Sequence, residues 1–185
     1  DTAGGFVKWY SEVGIKDVPI VGGKNAALGE MYSNLVPLGV KIPDGFALTA
    51  DAYRHFFKET GLDNKIKEIL ADLDTGDMHN LQVRGKKTRE TILQASLPQD
   101  LQNAITEAYK KLGEKYGENL DVAVRSSATA EDSSKNAWAG QLETYLYTSR
   151  NSLIKNIQRC WKSIFSRRVV FYSTHTPPLP GRASV

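Results

Sequence analysis

Apolar positions recur at helical spacing along much of this chain. The clearest run follows Pro98 and Asp100. Leu101, Ala104, Ile105, Ala108, Tyr109 and Leu112 fall three or four residues apart, the stripe of a helix with one buried face, and Gly113 is placed to end it. Leu153, Ile154, Ile157, Cys160, Trp161, Ile164 and Phe165 predict a second strong helix. Thr49 is placed to cap another, with Asp51 in its first turn, Tyr53, Phe56 and Phe57 on one face, and Gly61 at its end. Residues 62–97 read as a broken helical stretch. Ile66, Ile69, Leu70 and Leu73 form one stripe, "DTGD" interrupts it, and a weaker helix over 78–95 carries Arg84, Lys86, Lys87 and Arg89. After Gly22-Gly23, the spacing of Leu28, Met31, Tyr32 and Leu35 predicts one more amphipathic helix with that stripe buried.

Elsewhere the period shortens to that of strands. "LDVAVRS" reads as one, with Val122 and Val124 on one face and Asp121, Ala123 and Arg125 on the other. "GQLETYLYTS" reads as another, with Leu142, Thr144 and Leu146 alternating against Glu143, Tyr145 and Tyr147. "LGVKIPDGFALT" predicts two short extended pieces around a Pro-Asp-Gly turn. Beyond Tyr172, three prolines within "PPLP" cannot continue a helix, so the end of the sequence reads as a tail or linker. Helices segregated from a few strands predict an α+β fold, with helices packed on a small, mostly antiparallel sheet.

Composition narrows the classes. A chain of 185 residues, 41% hydrophobic and 24% charged, suits one globular domain or somewhat more. A net charge of +3 from 24 basic and 21 acidic residues is too even to argue for nucleic acid or a membrane surface as partner. The single cysteine, Cys160, excludes an internal disulfide and is expected in a reducing, cytoplasmic compartment. It falls on an apolar stripe, which reads as core and not as a nucleophile.

Three stretches carry candidate chemistry. Gly22-Gly23-Lys24 at the start of a helix would suit a phosphate, because the backbone can approach closely and the helix N-terminus favours an anion. It is not a Walker A loop, since Asn25 follows the lysine where Ser or Thr would bind magnesium, and on spacing alone an ordinary turn with a solvated lysine is the better reading. "AVRSSATAED" delivers Arg125 to the head of a loop of small and hydroxylated residues. The guanidinium would fork onto a phosphate or carboxylate, with Ser126, Ser127 and Thr129 adding hydroxyls, or pair locally with Glu131 or Asp132. In "WAGQLETY", Gly140 interrupts a strand pattern, which marks either close approach of a ligand or a plain bulge. His55 and His79 lack partners at metal-ligand spacing, and the Arg84–Arg89 cluster reads as a solvated helix face.

Taken together, "VPIVGGKNAALGEMYSNLVPLGVKIPDGFALTADAYRHFF" and "VAVRSSATAEDSSKNAWAGQLETYL" resemble the N-terminal part of the phosphoenolpyruvate synthase (pyruvate, water dikinase) family. Pyruvate phosphate dikinases and rifampicin phosphotransferases carry looser versions. The resemblance runs from about Phe6 to about Tyr172. It implies the first lobe of an ATP-grasp nucleotide-binding domain, incomplete over residues 1–176, with 177–185 as tail or linker. It implies that Lys24 and Arg125 contact the phosphates of ATP and that Gly140 and Thr144 line the same site. Arg125 would also be catalytic, by offsetting charge on the transferring oxygens. The family reaction makes phosphoenolpyruvate, AMP and phosphate from pyruvate, ATP and water, through a phosphohistidine on a separate domain. Partners would be the remaining ATP-grasp lobe, the phosphohistidine domain and a pyruvate-binding domain. Magnesium is expected, with its ligands outside this chain, and the chain alone is expected to be inactive. The family's Leu-Pro-Asp-Ala-Ser-Phe-Ala-Gly is replaced here by "SSKNAWAG", which alters the charge of that loop. His175 lacks the surroundings of the family's phosphoacceptor, and Glu131 and Asp132 receive no role. The rival readings are the lobe of a rifampicin-type phosphotransferase and a non-catalytic nucleotide-binding module.

Overall fold

The structure, a computed structural model, describes residues 3–128, 143–172 and 183–184. Gly140, Glu131, Asp132 and His175 lie outside the described residues, as does most of the tail. The fold is α+β. A short turn of helix, α1 (Ala3–Phe6), leads into β1 (Val7–Trp9), which pairs antiparallel with β2 (Phe46–Leu48) in the register Val7↔Leu48 and Trp9↔Phe46. Between these strands come α2 (Val18–Val21) and α3 (Gly23–Leu35). Four helices follow: α4 (Ala50–Glu59), α5 (Leu62–Leu70), α6 (Met78–Gln94) and α7 (Gln99–Tyr116). Next, β3 (Val122–Arg125) pairs antiparallel with β5 (Thr144–Thr148), and β4 (Ser127–Ala128) with β6 (Ala183–Ser184). The long α8 (Leu153–Tyr172) lies between β5 and β6 in sequence.

Capping chemistry sets the helix starts. Thr49 has an extended backbone and its hydroxyl accepts from the Ala52 amide at 3.3 Å, which satisfies one of the amides the helix leaves unpaired. Asp77 does the same for α6, accepting from His79 and Asn80. Every member of the stripe expected on α7 is buried: Leu101, Ala104, Ile105, Ala108, Tyr109 and Leu112. Leu101, Ala104, Ile105 and Tyr109 join Tyr53 and Phe56 of α4 and Ile157 and Trp161 of α8 in the main core. Phe56 stacks on Trp161 with ring centroids 5.5 Å apart, and Tyr53 meets the same indole edge-on at 5.7 Å. Cys160 is fully buried here, and burial pushes its thiol up to about 12, so it stays protonated. Among the described residues no helix is long and apolar enough to cross a membrane.

Four local expectations are corrected. First, α3 does not bury Leu28, Met31, Tyr32 and Leu35. Met31 is exposed, and the face turned inward is Asn25, Ala26 and Gly29. A side chain at Gly29 would come within 2.4 Å of the Val13 carbonyl, so the helix lies directly against backbone and its small residues are the buried ones. Second, only the later half of "LGVKIPDGFALT" is a strand. The chain before it makes a single 3-10 turn at Val36–Leu38 closed by Gly39. Third, Gly113 lies inside α7, which runs on to Tyr116 and stops at Gly117 with φ 111°. Fourth, the alternation along β5 breaks. Val122 faces Thr148 but Val124 faces Tyr145, so β5 carries one extra residue, and Tyr147 takes φ 53°. Tyr145 turns toward the core while Leu146 and Tyr147 both face solvent.

Candidate functional site

The candidate site lies where the start of α3 meets the end of β3. Gly22 closes α2, donating its amide to the Val18 carbonyl at 2.8 Å, and its own carbonyl accepts the first turn of α3 from Ala26 at 3.0 Å. It does both at φ 85°, ψ 161°, a conformation that residues with a Cβ avoid. A Cβ there would also fall 2.2 Å from the Ser127 hydroxyl oxygen. Only glycine lets the two segments touch. Lys24 follows in the first turn of the helix, with its side chain exposed.

Ser127 joins these segments chemically. Its hydroxyl donates to the Val21 carbonyl at 3.1 Å and accepts from the Asn25 amide at 3.5 Å, across 102 residues of sequence. It therefore serves α3 as an N-cap side chain supplied from another element. Asn25 completes the joint by donating its side-chain amide to Val21 at 3.0 Å. Ser126 is buried, and both its amide and its hydroxyl donate to the Glu143 carbonyl, at 3.0 and 3.1 Å. The two serines read from sequence as available hydroxyls thus bond to backbone, and Arg125 beside them is the exposed group.

Lys24 and Arg125 line one cavity of about 600 Å³. Asp44 and Asp121 are the other charged residues of its lining, and Leu28, one turn on in α3, with Leu112 and Tyr116 of α7 and Leu120 before β3, adds apolar surface. Thr144 is opposite Arg125 in the ribbon register and exposed, but it stands beside the cavity wall and not in it. An arrangement of this kind suits a ligand with an anionic part and an apolar body.

The structure adds residues that periodicity did not single out. Asp44 and Tyr10 line the same cavity. The Asp44 amide donates to the Tyr116 hydroxyl at 2.8 Å, and Lys115 donates to the Asp44 carboxylate at 3.3 Å and to the Tyr32 hydroxyl at 3.1 Å. The bond to Tyr32 is the main cause that raises the Lys115 pKa, so the cation is secure. The Pro-Asp-Gly turn was readable in sequence as a turn, but its role as a cavity wall depends on α7. Among the described residues no group of three or more His, Cys, Asp or Glu is arranged to hold a metal ion. His55 instead pairs with Asp100 at 2.9 Å, and Arg84 pairs with Asp72 at 2.7 Å, so Arg84 is not merely solvated.

Residues 18–177 match the family described as pyruvate phosphate dikinase, AMP/ATP-binding domain. The chain belongs to that family. It is 47% identical over 176 residues to a phosphoenolpyruvate synthase of Synechocystis sp., an alignment covering 92% of this chain and 22% of that protein. It is 48% identical over 174 residues to a phosphoenolpyruvate synthase of Aquifex aeolicus, covering 93% and 20%. A probable phosphoenolpyruvate synthase of Methanocaldococcus jannaschii is 49% identical over 169 residues, covering 90% and 14%. The chain spans a fifth or less to just over a fifth of the length of these curated relatives.

Proposed function

We propose that this chain is the first ATP-grasp lobe of a cytoplasmic phosphotransferase that makes phosphoenolpyruvate from pyruvate, ATP and water through a phosphohistidine on another domain. Residues 1–176 would form the incomplete nucleotide-binding region and 177–185 a tail or linker. The observation that carries this reading is the convergence of Lys24 and Arg125 on one cavity, with Ser127 bonded to the turn that precedes Lys24. The work assigned to these residues is electrostatic. Two cations would offset the charge that spreads over phosphoryl oxygens during transfer. Arg125, as a planar fork, would orient the oxygens it binds, while Lys24 supplies a point charge at the helix N-terminus. Thr144, from the neighbouring strand, and Gly140 would complete the contacts. Magnesium, with ligands expected outside this chain, would supply further positive charge for the phosphates.

The test uses the full-length protein. Pyruvate-dependent AMP formation should fall at least hundredfold in Arg125→Ala, with the thermal midpoint unchanged. An Arg125→Ala enzyme that keeps its activity overturns the reading and returns Arg125 to a local ion pair. The names of the relatives favour a pyruvate acceptor over a rifampicin-type one.

A further inference from the structure

Tyr10 sits in the cavity in an arrangement that packing does not explain. Its amide donates to the Gly45 carbonyl at 3.0 Å, which fixes where its side chain begins. Its ring lies so close to Gly45 that a Cβ there would meet Cε2 at 2.7 Å, Cζ at 2.9 Å and Oη at 3.1 Å. The tip of the phenol therefore rests on a bare Cα, and any side chain at 45 would push it away. The turn beneath it is rigid. The Asp44 carboxylate accepts from the Gly45 amide at 2.8 Å on one oxygen and from Lys115 at 3.3 Å on the other. Both Asp44 oxygens are thus engaged, and among the described residues the Tyr10 hydroxyl has no hydrogen-bond partner. Burial is the main cause that raises the pKa of the phenol; Arg125 opposes it and Asp44 adds to it, so the hydroxyl keeps its proton at neutral pH. A protonated phenol with a free hydroxyl, in the cavity that Lys24 and Arg125 also line, is a donor for an anionic oxygen.

We propose that Tyr10 is a third anion-binding residue of this site, donating its hydroxyl to a phosphate oxygen of the nucleotide held by Lys24 and Arg125, and that Gly45 aims it there. This rests on the ATP-binding reading above. The experiment compares full-length variants by ATP dissociation constant, KM for ATP, KM for pyruvate and thermal midpoint. Tyr10→Phe keeps the ring and removes only the hydroxyl. It should weaken ATP about tenfold, as loss of one hydrogen bond to a charged group does, and leave the pyruvate KM and the midpoint unchanged. Gly45→Ala should reproduce the loss by displacing the phenol. If Lys24→Ala and Arg125→Ala weaken ATP while Tyr10→Phe binds it like the wild type, the assignment to Tyr10 is overturned and the ATP site stands. If all of these variants bind ATP like the wild type, the reading of the site falls with it. An effect of Tyr10→Phe on pyruvate alone also overturns the proposal.

Discussion

The main core and the cavity wall are both made by distant parts of the chain, yet they are joined by different means. In the core, large side chains meet large side chains: Phe56, Tyr53 and Trp161 stack and cross, and the α7 stripe fills the space below them. At the joint that carries the Lys24 part of the wall, backbone meets backbone. Gly22 lies under Ser127, Gly29 against Val13, and the Ser127 hydroxyl bonds to Val21 of α2 and Asn25 of α3. The first region is stabilised by buried area and tolerates some rearrangement. The second is stabilised by contact of groups that cannot be enlarged, and it sets the start of α3, from which Lys24 extends, against β4.

Substitutions should separate the two. Phe56→Ala removes a fully buried ring and should cost about 3–5 kcal/mol of stability, read from denaturant unfolding. The ATP dissociation constant of the protein that stays folded should not move. A large change in ATP affinity would mean that core and wall are not independent. Ser127→Ala should cost less, about 1 kcal/mol, as the loss of a cap does, but it should also weaken ATP because α3 loses the group that anchors its first turn. Stability loss without loss of ATP affinity would place the Ser127 joint outside the site.

The smallest effect concerns the far side of α4. Hydrogen bonding to His55 is the first cause that holds the Asp100 carboxyl below its ordinary 3.8. A carboxylate depressed in the folded state stabilises above its unfolded pKa, and that contribution is lost as pH falls through the lower folded value. His55→Ala should therefore lower the thermal midpoint slightly at about pH 5, with the gap to wild type closing as pH falls below 3.8. A gap that persists in acid would assign the effect to the contact of His55 with Phe6, whose rings lie 4.8 Å apart.

Much of this was legible in residue order. Periodicity located α4, α7 and α8, with the buried faces of α4 and α7 and that of α8 as far as Trp161, because there burial follows the size of the side chain. Thr49 and Gly61 marked the limits of α4 by local backbone chemistry alone. On α3 the same rule fails, because Gly29 admits backbone to within contact and the small residues become the interior. Along β5 it fails again, because one extra residue turns Leu146 and Tyr147 outward together.

Residue order by itself determined an α+β chain with three strongly amphipathic helices, and the motifs around Lys24 and Arg125 that tie it to a nucleotide-binding family. It did so because local propensity, capping and side-chain period act within a few residues of each other. Tertiary structure alone decided that Lys24 and Arg125 share a cavity, that Ser126 and Ser127 serve backbone, and that Tyr10 joins the wall through Gly45. Those facts depend on contacts between segments up to 106 residues apart, and no local pattern carries the distance between two such segments.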